Sequence, residues 1–286
     1  MNADRAGGGE DARAPADRPV CARPEPTGPA RQPLLTTAGL AVAYAGATPV
    51  LSDVTFDLQP QERIAVLGPN GGGKTTLFKA LLGELRPAAG DLAIAERCAS
   101  VPQTERSRLD FPVSALDVAL MGTIAGRPWW RAPSRKDRDA ARVALARVDL
   151  AERADDTYGE LSGGQRQRVL IARALVQEAR ILLFDEPFTG LDAPSAARLE
   201  ALLAELAGAG RGVLIATHDL EQARRWDRVL CLNRRQVGFG SPAPTLTHDV
   251  LSATYGGAIV TLPGEDPAKP HHAILPPHHH HHGHPS

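Results

Sequence analysis

Several things are missing from this chain, and each absence narrows what it can be. No uninterrupted apolar run approaches the roughly 18 residues that a membrane span needs. The N-terminus has no apolar core of the kind that marks a secretory signal. Cysteine is scarce: Cys21, Cys98 and Cys231 are widely spaced and odd in number. They form no metal-type pair, so free thiols in a reducing cytoplasm are expected. Net charge is only −1, which leaves no basic field for a nucleic-acid partner. Internal repeats and sustained heptads are absent, which excludes a solenoid or a long coiled coil.

What is present reads as a soluble globular protein of one large domain or two small ones. Of 286 residues, 43% are hydrophobic and 23% charged. Residues 1–33 are rich in Ala, Arg, Pro and Gly and hold five acidic and five basic side chains. They offer too little apolar surface to offset chain entropy, so a disordered tail is expected. The acidic residues argue against an organellar targeting peptide.

From Leu34 the pattern changes. Leu40–Tyr44, Val54–Leu58, Asp91–Ala95 and Cys98–Val101 have strand character, with a turn expected at Arg86–Gly90. Residues 104–160 carry helix signals instead. Ser114 suits an N-cap before Ala115–Met121, and Lys136–Val148 reads as a second helix. Strand–helix alternation then resumes, with apolar strands at Ile181–Phe184 and Val213–Ala216 flanking a helix over Ala193–Ala207. Such alternation predicts an α/β fold with a parallel sheet and a ligand site at the strand C-terminal ends.

The motif at the centre is Gly68-Pro69-Asn70-Gly71-Gly72-Gly73-Lys74-Thr75-Thr76. It fits G-x-x-x-x-G-K-[ST] and sits between the apolar strand Ile64–Leu67 and a helix over Thr76–Leu82, the context this motif requires. Its glycines, Gly68, Gly71 and Gly73 among them, let backbone N–H groups approach a polyphosphate. The helix N-terminus adds partial positive charge. Lys74 is expected to reach the β- and γ-phosphates, with Thr75 on Mg²⁺ and Asn70 and Thr76 within the same cradle. A second apolar strand ends in Asp185-Glu186-Pro187. Asp185 is expected to hold Mg²⁺ through water, and Glu186 to activate an attacking water. Leu161-Ser162-Gly163-Gly164-Gln165 precedes a further helix. Ser162 suits its N-cap, and the paired glycines again expose N–H donors to an anion. One nucleotide seldom needs two such loops from one chain, so the second loop makes sense as a contribution to another subunit's nucleotide.

Taken together and in this order, the motifs resemble those of the ATPase subunits of ABC transporters, over about Leu34 to Gly257. The resemblance implies a P-loop NTPase domain over 34–260, with a RecA-like parallel-sheet core, an antiparallel β subdomain and a helical subdomain at about 104–176. It also implies roles for single residues. Tyr44 would stack on adenine. Gln103 would sense Mg²⁺ and the permease. Ser162, Gly163, Gly164 and Gln165 would form the signature loop, Asp192 would cross a dimer interface, and His218 would contact the γ-phosphate. Glu186, His218 and Gln103 would be the catalytic set, with ATP and Mg²⁺ as cofactors. The implied partners are an integral membrane permease, a second copy arranged head to tail around two ATP molecules, and, indirectly, an extracytoplasmic substrate-binding protein. The implied place is the cytoplasmic face of the membrane.

Phe188 in Asp185–Asp192, the run Val118–Gly122 and Tyr255-Gly256-Gly257 look like the manganese/zinc uptake branch. An importer for another cargo such as an iron-siderophore, or a soluble non-transport ABC ATPase, are the alternatives. Ribosome-acting relatives usually carry two cassettes, and DNA-acting ones a long coiled coil; this chain has neither.

Two stretches lie outside that scheme. Residues 261–286 read as a flexible tail in which His271, His272, His278, His279, His280, His281, His282 and His284 could bind a transition metal. Pro128-Trp129-Trp130-Arg131 opens a stretch, Arg127–Arg142, with six basic and two acidic residues. The tryptophans either plug the helical insert's own core or contact the permease.

Overall fold

The computed structural model describes residues 32–44, 48–102, 112–124, 132–256, 259–262 and 271–274. By contacts the chain divides into residues 1–31 and 32–286, the first of which lies outside the described residues.

The apolar run around Ile64 forms β3 (Arg63–Leu67), the middle of a six-stranded sheet. Its order is β5 (Cys98–Val101), β6 (Ile181–Asp185), β7 (Gly212–Thr217), β3, β8 (Arg228–Leu232) and β9 (Gln236–Gly240). The first five are parallel and β9 closes the edge antiparallel. Alternate side chains leave opposite faces of a strand, and both faces here are covered. Ile64, Val66, Leu183, Leu214 and Leu230 face a core shared with α1 (Lys74–Leu81) and two strands of a second sheet, β1 (Leu35–Val42) and β2 (Leu51–Leu58). Ala65, Leu67, Leu182, Phe184, Ile215 and Val229 face a core shared with the remaining helices. Double coverage is why these strands read as unbroken apolar runs. On α1, Leu77, Phe78 and Leu81 are buried, each stabilising by about 1.5–3 kcal/mol.

The second sheet is antiparallel, in the order β2, β1, β4 (Pro87–Ile94). Here the turn expected at Arg86–Gly90 gives way to the start of β4. Gly90 has φ 74° and Gly39 φ 57°, and the β1–β4 register shifts between Ala38 and Ala41. The glycine that signalled a turn marks a bulge, where one strand carries extra residue length and bends. The first strand also starts earlier than expected, at Leu35, because its alternation is interrupted at that same bulge.

The helical insert consists of α2 (Ala115–Leu120), α3 (Arg135–Arg147) and α4 (Gly163–Val176), mutually packed. Capping boxes begin all three: Ser114 with Asp117, Ser134 with Asp137, Ser162 with Gln165. Each satisfies helix-end N–H groups that would otherwise lack partners. Gln103, Trp129 and Trp130 lie outside the described residues.

After β6 come α5 (Ala193–Gly208), the short α6 (Leu220–Ala223) beyond β7, α7 (Pro242–Thr245) and α8 (His248–Tyr255). Beyond α8, β10 (Ile259–Leu262) pairs antiparallel with β11 (His271–Ile274). The segment expected to be a flexible tail from residue 261 therefore includes a strand pair, with His271 opposite Leu262 and His272 opposite Thr261. The β-branched run Ile259-Val260-Thr261 is its sequence signal. No helix among the described residues is long and apolar enough to cross a membrane.

Candidate active site

Parallel strands that end level with one another place their following loops side by side. Leu67 pairs with Thr217, and Asp185 with Ala216, so the tips of β3, β7 and β6 share one edge. A cleft of about 440 Å³ opens there, lined by Val50, Pro69, Asn70, Gly71, Gly73, Lys74, Thr75, Thr76, Asp185 and Glu186. The glycine loop and the carboxylate pair, 109 residues apart by number (185 − 76), thus meet across one space.

The loop's geometry needs its glycines. A Cβ on Gly68 would stand 2.3 Å from the Leu232 carbonyl oxygen at the end of β8. Gly73, the α1 N-cap, has φ 102°, and a Cβ there would meet Leu51 Cδ1 at 2.7 Å. Gly72 N–H donates to Pro69 O at 3.0 Å, and Arg234 N–H donates to Gly72 O at 2.9 Å. The loop is therefore held from beneath by β8 and β2, neither of which carries a motif.

Lys74 is buried, and its Nζ donates to Gly68 O at 2.5 Å and Pro69 O at 3.2 Å. Burial pushes its pKa down, and the carboxylates of Glu186 and Asp185 pull it partly back. A cation held in this way faces the cleft with reduced hydration, which strengthens its attraction for an anion.

Glu186 has φ 49°, a left-handed conformation that costs a non-glycine residue about 1–3 kcal/mol. Its N–H donates to Ala216 O at 3.0 Å, and Thr189 Oγ1 donates to Glu186 Oε2 at 3.4 Å. The strained backbone carries the carboxylate around the tip of β6 into the cleft. His218 follows β7, with Nδ1 3.9 Å from Glu186 Oε2. That is too long for a hydrogen bond. Thr75 is exposed beside Asp185 in the same cleft. A hydroxyl and a carboxylate are the oxygen ligands a hard cation takes, so these residues fit Mg²⁺. Among the described residues no group of three or more His, Cys, Asp and Glu side chains could hold a metal ion by itself.

Other expected site residues lie elsewhere. Tyr44 does not line the cleft. It stands two residues beyond β1, half exposed, with Lys79 Nζ 5.5 Å from its ring centroid. Ser162, Gly163, Gly164 and Gln165 open α4 and are likewise absent from the cleft lining. Ser162 Oγ accepts from Gln165 N at 3.3 Å, and Ser162 N–H donates to Gln165 Oε1 at 2.8 Å. Asp192 caps α5, accepting from Ser195 N–H at 3.0 Å, and the hydrogen bonds from Ser195 hold its carboxyl below the usual range. Gly164 packs against the start of α5: a Cβ there would come within 3.4 Å of Ser195 Oγ and 3.6 Å of Leu191 Cδ2. The second glycine loop and the Asp192 turn therefore form one surface of their own. Val50, Leu232 and Ala216 shape the cleft without any sequence signal, because each acts through backbone or through bulk.

The free thiols bear on none of this. Cys98 is half-buried and Cys231 buried, and burial pushes both up to about 12.

Comparison with known proteins agrees with the geometry. The family profile described as ABC transporter matches residues 51–189. The manganese transport system ATP-binding protein MntA of Synechocystis is 39% identical over 230 residues, spanning 77% of this chain and 88% of that protein. The zinc transport system ATP-binding protein TroB of Treponema pallidum is 39% identical over 220 residues, spanning 74% and 83%. Among solved structures, an inward-facing metal-chelate type ABC transporter superposes with TM-score 0.75 at 31% identity, covering 85% of this chain and 97% of that one.

Proposed function

Because the chain belongs to the ATP-binding subunits of ABC transporters, we propose that it hydrolyses ATP to drive import of a divalent metal ion through a membrane permease. The observation that carries this is the meeting of the Lys74 loop with Asp185 and Glu186 across one cleft. The metal cargo is supported by relatives named for manganese and zinc transport.

The backbone N–H groups of the Gly68–Thr76 loop and the N-terminus of α1 bind the polyphosphate. Lys74 neutralises the β- and γ-phosphates. Thr75 and Asp185 would hold Mg²⁺, which supplies charge neutralisation at the phosphates when bound. Glu186 accepts a proton from the attacking water, and His218 orients the γ-phosphate from the neighbouring strand tip, with Gln103 completing the catalytic set. Tyr44, outside the lining of the phosphate cleft, would stack on an adenine that reaches beyond that cleft.

ABC ATP-binding subunits work as pairs on a permease. In this chain Ser162–Gln165 and Asp192 are absent from the lining of its own cleft, which supports their serving the nucleotide of a second copy. Closure of the pair on ATP then shifts the permease between states, since ATP favours the closed dimer. The subunit is peripheral, held at the cytoplasmic face by the permease, with a substrate-binding protein delivering cargo from the other side.

Reconstitution with its permease in liposomes tests the reading. We expect ATP-dependent uptake of radioactive Zn²⁺ or Mn²⁺ and ATPase activity raised by the permease. An ATPase rate indifferent to the permease, with no uptake of either ion, would overturn it.

A further inference from the structure

One buried hydroxyl near the nucleotide loop has no part in ATP hydrolysis as described. Tyr255 is the last residue of α8, before Gly256 leaves the helix at φ 70°. Its side chain packs against the core that the large sheet shares with the helices. Its hydroxyl is sealed from solvent and has no hydrogen-bond partner among the described residues. A polar group so placed is costly, because it has given up water and gained no bond in exchange. Its retention therefore calls for a use.

The surroundings point to one. Burial pushes the Tyr255 pKa up, the neighbouring Cys231 adds to this, and the Gly68 backbone, acting as a donor, pulls it partly back. Gly68 is thus close to the hydroxyl without meeting hydrogen-bond geometry. Cys231 is buried at the end of β8, next to Leu232. The Leu232 carbonyl oxygen underlies the loop: a Cβ on Gly68 or Gly72 would stand 2.3 or 3.1 Å from it. The last turn of α8 is tied to the same place. Asn233 Nδ2 donates to Ala253 O at 3.2 Å, and the next residue, Arg234, donates its N–H to Gly72 O. Two adjacent residues therefore join α8 to the middle of the loop, and Tyr255 meets the loop at its first glycine.

We propose that Tyr255 is a positioning residue for the phosphate loop, its hydroxyl taking the Gly68 peptide as partner when the loop settles around a polyphosphate. It touches no substrate atom and acts through Gly68. Closing on phosphates aims the loop's N–H groups at the anion, and the Gly68 peptide at the foot of the loop turns with them. A hydrogen bond weakens steeply with misalignment, so a small rotation there makes or breaks this one. A bond formed only in the bound state favours that state by its full worth, which appears as affinity. This rests on the reading of Gly68–Thr76 as the polyphosphate site.

The test is Tyr255→Phe in the full chain, which removes one oxygen and keeps the ring. Melting temperature is measured without nucleotide, and affinity is measured by calorimetry for ATP with Mg²⁺ and for inorganic tripolyphosphate. We expect the melting temperature to stay equal or rise, since an unpartnered hydroxyl is lost. Both ligands should bind about three- to tenfold more weakly, the worth of one hydrogen bond. A hydroxyl with a merely structural role would lower the melting temperature instead. A lower melting temperature without nucleotide, unchanged affinity for both ligands, or a loss confined to ATP overturns the proposal. A wild-type chain that binds neither ligand overturns the reading of the loop as well, a result distinct from a wild type that binds both and a variant that matches it.

Discussion

Glu186 shows how a single residue joins strain to chemistry. Its φ of 49° is costly for any side chain but glycine. The position therefore sacrifices stability to carry a carboxylate. Two substitutions separate the two effects. Glu186→Gln keeps the strain and removes the proposed base, so ATP turnover should fall at least about 100-fold while an ATP-stabilised dimer persists on size exclusion. Glu186→Gly removes both, and should raise stability by about 1 kcal/mol relative to Glu186→Gln, read as a higher melting temperature with equally low turnover. Equal melting temperatures would mean that the strain is not stored there. Gly68 makes the complementary case. The Leu232 carbonyl occupies the space a Cβ needs, and backbone cannot step aside as a flexible side chain can. Gly68→Ala should cost about 1–3 kcal/mol in chemical denaturation and weaken ATP binding with it.

Among elements, the joint between β2 and β8 carries a charged cluster. Arg228 donates to Glu62 through Nε and Nη2, and to Asp57 Oδ1 at 2.9 Å, and stacks 4.6 Å from the Phe239 ring centroid. Burial alone would raise the Asp57 pKa, yet hydrogen bonds from Arg228 and Gln59 outweigh it and hold the carboxyl below its ordinary value. Arg228→Met leaves two carboxylates without their cation. The cost should be about 2–3 kcal/mol, below the range for fully buried pairs because Asp57 keeps 37% of its side-chain surface exposed. The sign of the pH effect follows. Asp57 has a depressed folded-state pKa, so its contribution is fully present above about 3.9, the unfolded value, and is lost as pH falls through the folded one. The gap in stability between wild type and Arg228→Met should therefore narrow below about pH 4. A gap that stays constant from pH 7 to pH 3 would show that the joint contributes packing and no charge.

Across the whole molecule, the cleft and the second glycine loop belong to different surfaces of one chain. The short capping signals at Ser162 and Asp192 describe the helices they start, and both are satisfied locally by Gln165 and Ser195. Those bonds satisfy the loops' polar groups within the chain. On the proposed reading, ATP would hold two copies together, and the loop pair is expected to act only in a dimer.

Much of this was legible in the residues alone. The Gly68–Thr76 loop, the Asp185-Glu186 pair and the helix starts at Ser114 and Ser162 are local events, in which bonds run between residues three or four apart or a motif binds through its own backbone. Unbroken apolar runs likewise foretold buried parallel strands. Tertiary structure alone decided the order of those strands, which brings Glu186 to Lys74, because pairing depends on contacts far apart in sequence. It alone put Leu232 beneath Gly68, since a carbonyl supplies that contact and every residue has one. It also turned Gly90 from a turn into a bulge, because a glycine's freedom at positive φ serves either purpose until a partner strand chooses.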